Sequence, residues 1–216
     1  MRAFHESAST VPLSPNRPLV IADADEVLLR FADGLDRFLR ARGLFLDLSS
    51  YRLHGNVKRL DDGTAALDVE VTALLDEFRG DLDWLEAVEG ARDAMAALAR
   101  RCEVVVLSNV TPPQAPPRLR NLAARGFDFP LLVNSGLKGA AVKALAGRAG
   151  APVFFIDDIP HHHADVAEAA PDVFRIHLIG DERLKPLLPP SPHVHLRAET
   201  WKDARRFIET KLGDFG

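Results

Sequence analysis

The chain has 216 residues, a formal net charge of -4 and a hydrophobic fraction of 47%. That length buries one substantial core with room for a small insertion. The charge leaves no basic footprint, so nucleic acid is not an expected partner. No apolar run approaches the roughly 20 residues needed to span a bilayer, so no membrane span is expected. A single cysteine, Cys102, permits no internal disulfide and fits a reducing compartment, which makes a cytoplasmic protein the expectation.

In chain order, residues 1–17 hold Pro12, Pro15 and several small polar residues. They lack a continuous apolar stretch and read as a loose N-terminal tail, not a secretory signal. Leu19–Ala22 is a short apolar run that ends in Asp23-Ala24-Asp25-Glu26-Val27. Phe31, Leu35, Phe38 and Leu39, and then Val69, Val71, Leu74, Leu75 and Phe78, follow helical spacing around a polar loop at Tyr51–Gly63. Residues 33–85 therefore read as a small, mainly helical insertion after the first strand. Ala91–Arg100 reads as a helix leading into a second apolar run, Val104–Leu107, with Cys102 a small apolar residue beside it.

Further apolar runs at Leu131–Val133 and Val153–Ile156 are separated by helical segments, Arg118–Arg125 and Ala140–Arg148, with Gly126 and Gly150 as stops. Val173–Leu178 and His193–Leu196 read as two more strands, and Trp201–Leu212 as a closing amphipathic helix. The runs are continuous, not alternating, as in parallel strands buried on both faces. Strand alternating with helix predicts an α/β, doubly wound, Rossmann-like parallel sheet. Its core would comprise residues 18–32 and 86–216.

Four strand ends carry residues with chemical potential: Asp23 and Asp25; Ser108 and Asn109; Lys138 at a helix start; and Asp157 and Asp158. In a parallel sheet these ends share one edge. Clustered carboxylates raise one another's pKa and call for a cation. Oxygen ligands select a hard ion, and Mg²⁺ typically takes one or two carboxylates plus substrate phosphate. A carboxylate can attack phosphorus, a second one two residues on can serve as acid and base, and Ser108 and Lys138 can hold phosphoryl oxygens.

These residues resemble the four ordered motifs of the haloacid dehalogenase (HAD) superfamily: Asp23-Ala24-Asp25-Glu26-Val27; Val104–Asn109; Lys138; and Phe154-Phe155-Ile156-Asp157-Asp158. The resemblance covers about residues 18–200. It implies a Rossmann-like core, a cap at the 33–85 insertion, Mg²⁺ and a phosphoaspartyl intermediate on a small phosphorylated substrate. It further implies that Asp23 is the nucleophile and a metal ligand. Asp25 is then the general acid/base and a ligand through its carbonyl, and Asp157 and Asp158 complete the metal site. Ser108, Asn109 and Lys138 bind phosphate. An aspartate at position 25 argues for phosphoryl chemistry over dehalogenation, which needs no acid there.

Each motif has a plainer reading. Asp-x-Asp alone is a solvated turn, Asp157-Asp158 a helix cap before Pro160, and Ser108-Asn109 a turn pair. Lys143 rivals Lys138 but reads as a surface lysine. His161-His162-His163 reads as a polar helix start at the rim of the site, and Tyr51–Arg59 as a solvated loop. Phosphoryl transfer to another hydroxyl and a non-catalytic binding role are the functional alternatives.

Overall fold

The computed structural model describes residues 3–214. In chain order the elements are β1 (Phe4–His5), β2 (Leu19–Ala22), α1 (Phe31–Arg40), β3 (Leu44–Leu46), β4 (Val57–Arg59), α2 (Asp68–Gly80) and α3 (Ala91–Leu98). There follow β5 (Glu103–Asn109), α4 (Ala115–Ala124), β6 (Leu131–Asn134), α5 (Gly139–Ala149), β7 (Val153–Asp157), α6 (Pro160–Ala169), β8 (Phe174–Leu178), β9 (Leu196–Ala198) and α7 (Trp201–Gly213). Seven strands form one parallel sheet in the order β1-β6-β5-β2-β7-β8-β9. The chain steps outward from β2 through β5 to β6, then crosses back to β7 on the other side. That reversal makes β2 the topological switch point, where ligands bind at the strands' carboxyl ends.

The apolar runs are continuous because both sheet faces are covered. Val20, Ala22, Val106 and Ile156 pack with Leu98 of α3, Leu122 of α4 and Ile208 of α7. Leu19, Ile21, Val105 and Phe155 pack with Val142 and Leu145 of α5 and Val166 of α6. Side chains of a strand alternate between faces, so each run feeds both layers. Helix α7 starts at a Thr200–Asp203 capping box, and Trp201 Nε1 donates to the carbonyl of Val27 at 2.8 Å. The closing helix thus grips the turn that follows the central strand. Among the described residues, no helix is long and apolar enough to cross a membrane.

Three expectations need correction. The tail is not loose. Phe4 and His5 pair with Leu131 and Leu132, Val11 is buried, and Arg148 Nη2 donates to the Val11 carbonyl at 2.8 Å. The unpaired edge of β6 supplies the bonds that order it. The insertion carries α1 and α2 but also an antiparallel pair, β3–β4, in which Leu44 and Leu46 face Arg59 and Val57. The last strand begins at Leu196, not His193, because His195 Nδ1 accepts the Arg175 N–H at 3.0 Å, a side chain standing in for a strand carbonyl.

Candidate active site

Adjacent register brings the strand ends together. Ala22 lies opposite Val106 on β5 and Ile156 on β7, so Asp23 emerges level with Leu107, one residue before Ser108, and with Asp157. The Asp23 N–H continues the ladder to the Ile156 carbonyl at 2.9 Å. Lys138, just ahead of α5, is buried, and its Nζ lies 2.8 Å from Asp23 Oδ1 and 2.7 Å from Asp157 Oδ2. Lys143 is solvent-exposed on the same helix. One ammonium therefore ties two carboxylates from neighbouring strands.

Asp157 is held on every side. Its Oδ1 accepts from the Ile159 N–H at 2.9 Å and lies 3.0 Å from His162 Nδ1, and its carbonyl lies 3.0 Å from His163 Nε2. His162 and His163 are thus buried supports of Asp157, and of the three histidines only His161 is exposed. Pro160 occupies the first turn of α6, where its missing N–H costs nothing, and both histidines lie within the next turn. The backbone N–H of the cap motif is taken by Asp157, not Asp158.

Asp158 is buried, its Oδ2 accepts from the Tyr51 hydroxyl at 2.7 Å, and its carbonyl lies 2.8 Å from His177 Nε2. The Tyr51 loop, expected to be solvated, reaches from the insertion into the site. Asp25 is clamped by a residue the sequence did not suggest. Arg118 of α4 donates from Nη1 and Nη2 to its two oxygens at 2.6 and 2.9 Å. Arg118 is 2% exposed, against 32% for the Asp25 side chain.

Ser108 is buried at the end of β5. Asn109 is exposed, and its amide is spent on the neighbouring turn. Its Nδ2 donates to the Gly136 carbonyl at 3.0 Å, and its Oδ1 accepts from Asn134 Nδ2 at 2.7 Å. This turn leads into Lys138 and needs Gly136 at a φ of +77, in the left-handed region. The Asn109 side chain braces the loop that carries Lys138.

Glu26 follows Asp25 at a φ of +57, a conformation that costs a non-glycine residue about 1–2 kcal/mol. Bonds from Glu26 N–H to the Leu29 carbonyl at 2.8 Å and from Ala32 N–H to Oε1 at 2.6 Å hold it there. Its Oε2 is buried without a hydrogen-bond partner. The carboxyl's burial pushes its pKa up to about 8, despite the Ala32 bond.

Burial sets the other charges as well. It pushes Asp23 up to about 6 against the pull of Lys138. Asp158 is raised well above the usual carboxylate range by burial and by Asp157 and Asp23. Burial also opposes ionisation of Asp157, but Lys138 and His162 outweigh it and hold that carboxyl below the usual range. Burial opposes the Lys138 charge too, and Asp157 with Asp23 reverses the effect and raises its pKa. Lys138 therefore stays an ammonium.

Oxygens of Asp23, Asp157 and Asp158 lie within 4.8 Å of one another. Three buried carboxylates cluster around a lysine that pairs with two of them, and burial first, then mutual repulsion, raises the pKa values of Asp23 and Asp158. An all-oxygen set with excess negative charge fits a hard divalent cation. A larger concavity, of about 700 Å³, lies beside Gly180, Arg183 and Thr200 and contains none of these residues. Its acids are Asp181 and Glu199, beyond β8 and β9, with Glu89 and Glu182, and none of them belongs to the carboxylate cluster.

No protein-family model matches the chain, and no curated protein matches it. Solved structures do. A haloacid dehalogenase-like family hydrolase from Xanthomonas campestris superposes with a TM-score of 0.56 at 15% identity, covering 95% of this chain and 99% of that one. A HAD-superfamily hydrolase, subfamily IA, from Geobacter sulfurreducens gives 0.54 at 18% identity, covering 90% and 99%. A candidate HAD-hydrolase from Bacillus subtilis, in a magnesium-bound form, gives 0.54 at 15% identity, covering 90% and 99%. The chain has the HAD fold, an α/β Rossmann-like parallel sheet flanked by helices.

Proposed function

We propose that this protein is a Mg²⁺-dependent phosphatase that cleaves a small phosphoric monoester through a phosphoryl-aspartate on Asp23. The observation that carries the reading is the Lys138 ammonium bridging Asp23 and Asp157 at the switch point, with Asp158 completing a carboxylate triad. The magnesium-bound structure from B. subtilis supports the choice of ion. When bound, Mg²⁺ would be held by Asp23, Asp157 and Asp158, with the Asp25 carbonyl a further donor, and would offset charge on the phosphoryl oxygens.

The chain's own groups do the rest. Lys138 takes Asp23 Oδ1, which leaves Oδ2 to attack phosphorus. The ester oxygen leaves with a proton from Asp25, which then takes a proton from the water that attacks the phosphoryl group. Inorganic phosphate departs and the Asp23 carboxylate is restored. Ser108, at the adjacent strand end, is placed to donate to a phosphoryl oxygen, and Lys138 balances the charge that develops there. Arg118 occupies both oxygens of Asp25, so proton delivery requires Asp25 to turn off at least one of them.

Phosphate release from a panel of monoesters, with and without Mg²⁺, tests the reading. The expected result is Mg²⁺-dependent turnover that falls by about 10⁴-fold in Asp23→Asn with the circular dichroism unchanged. Equal turnover in that variant would remove Asp23 as the nucleophile.

A further inference from the structure

Between the sheet and the insertion lies a cavity of about 200 Å³. Most of its wall is carbon: Phe31 from α1, Leu46 from β3, Leu48 and Leu53 from the insertion's loop, and Leu184 from the core, with Ser50 beside them. Asp25 lies on this wall, and so does Tyr51, whose hydroxyl is bonded to Asp158. The cavity therefore adjoins the carboxylate cluster at the residue assigned to protonate the leaving group. Its other carboxyl, Glu26, is 2% exposed and has an unpartnered Oε2.

Size, lining and charge together select a ligand. An apolar cavity of roughly 150 Å³ is known to hold a benzene ring, so this one has room for a single ring or a short branched chain. A polyol placed there could spend a hydroxyl on Glu26 or Ser50, but hydroxyls facing Phe31, Leu46 and Leu48 would have no partners, at the cost of burying unpaired polar groups. A second phosphate or a carboxylate on the ligand would face Asp25 and Glu26. The cation of the lining, Arg52, is solvent-exposed.

We infer that this cavity binds the leaving group and that the substrate is the monophosphate of a small apolar alcohol or phenol, not a sugar phosphate or a bisphosphate. The inference rests on the phosphatase reading for the position of the phosphate, and on the cavity alone for the chemistry of the alcohol.

Calorimetry of the full chain with Mg²⁺ separates the two. The probes are methylphosphonate, benzylphosphonate and 2,3-dihydroxypropylphosphonate, none of which can be hydrolysed at a P–O ester bond. Benzylphosphonate should bind tighter than the dihydroxypropyl compound by about tenfold or more, the scale on which an apolar pocket discriminates. Leu48→Asp, on the half-buried wall, should erase that preference while leaving methylphosphonate affinity unchanged. Leu48→Trp keeps the wall apolar but fills the space, and should weaken benzylphosphonate alone, which covers the case where the aspartate disrupts folding. Equal or reversed affinities for the two larger probes, or a preference untouched by either substitution, would overturn the inference. If benzylphosphonate binds as expected but no ester releases phosphate, the phosphatase reading fails and the cavity assignment stands. If esters are hydrolysed through Asp23 without a benzyl preference, the reverse holds.

Discussion

The two halves of this site are built differently. On the phosphoryl side, Asp23, Lys138 and Asp157 are buried, and Asp157 alone receives Lys138, His162, the Ile159 N–H and His163. On the leaving-group side, Asp25 is bonded to Arg118, its side chain is a third exposed, and the facing wall comes from a loop of the insertion. The first half is over-determined, as preorganised electrostatic catalysis demands. The second rests on one bidentate pair from the core and on a wall supplied by an inserted loop, the kind of segment that commonly selects substrates.

Breaking the buried half should have the largest effect. Lys138→Met leaves Asp23 and Asp157 without their cation, and an orphaned buried charge costs about 3–5 kcal/mol. Thermal melts should show that loss, a larger stabilisation by added Mg²⁺ than in the parent, and turnover lower by about 10²–10³-fold. Asp25→Asn, on the exposed half, should be gentler and should depend on the ester. In the first turnover, alkyl phosphates should slow by about 10²-fold, whereas release of an acidic phenol from an aryl phosphate should change little, because such a leaving group needs no proton; slowed breakdown of the intermediate shows only in later turnovers. Equal slowing of both classes would move Asp25 from acid catalysis to a structural role.

Glu26 sharpens the contrast through pH. Its folded pKa of about 8 lies above the ordinary 4.5, chiefly through burial. Its contribution to stability is therefore fully present below pH 4.5 and is lost as pH rises through 8. Glu26→Gln keeps an oxygen for the Ala32 N–H and removes the titration. In metal-free protein the variant and parent should melt alike near pH 4. The variant should gain steadily above that, reaching a plateau beyond pH 8 of up to roughly 5 kcal/mol. A difference independent of pH would place the Glu26 carboxyl in water.

What the sequence made legible follows the same division. Asp23, Ser108 and Asp157 sit at the ends of continuous apolar runs, Lys138 sits at the helix start after another, and β2, β5 and β7 lie side by side, so order along the chain indicated the shared edge. Arg118 was not legible. It lies 93 residues from Asp25, and an arginine in a short helix reads as solvated. His162 and His163 looked like a rim because nothing in three successive histidines shows which rings turn inward. The β3–β4 pair went unseen because Leu44–Leu46 and Val57–Arg59 are three residues each and the second carries two charges. Phe4–His5 is a strand only because β6 offers it an edge. Glu26 could have been suspected, since the turn after Asp25 needs a positive φ that glycine ordinarily supplies.

The central claim is that Asp23 carries the phosphoryl group, and it can be read directly. Asp25→Asn protein, in which breakdown of the intermediate is slowed, is mixed with Mg²⁺ and an activated aryl phosphate, quenched in acid and mapped by mass spectrometry. The account predicts the mass of one phosphoryl group on the peptide containing Asp23, absent when Asp23→Asn is added. No adduct despite phosphate release, or an adduct on Ser108 or His162 instead, would contradict it.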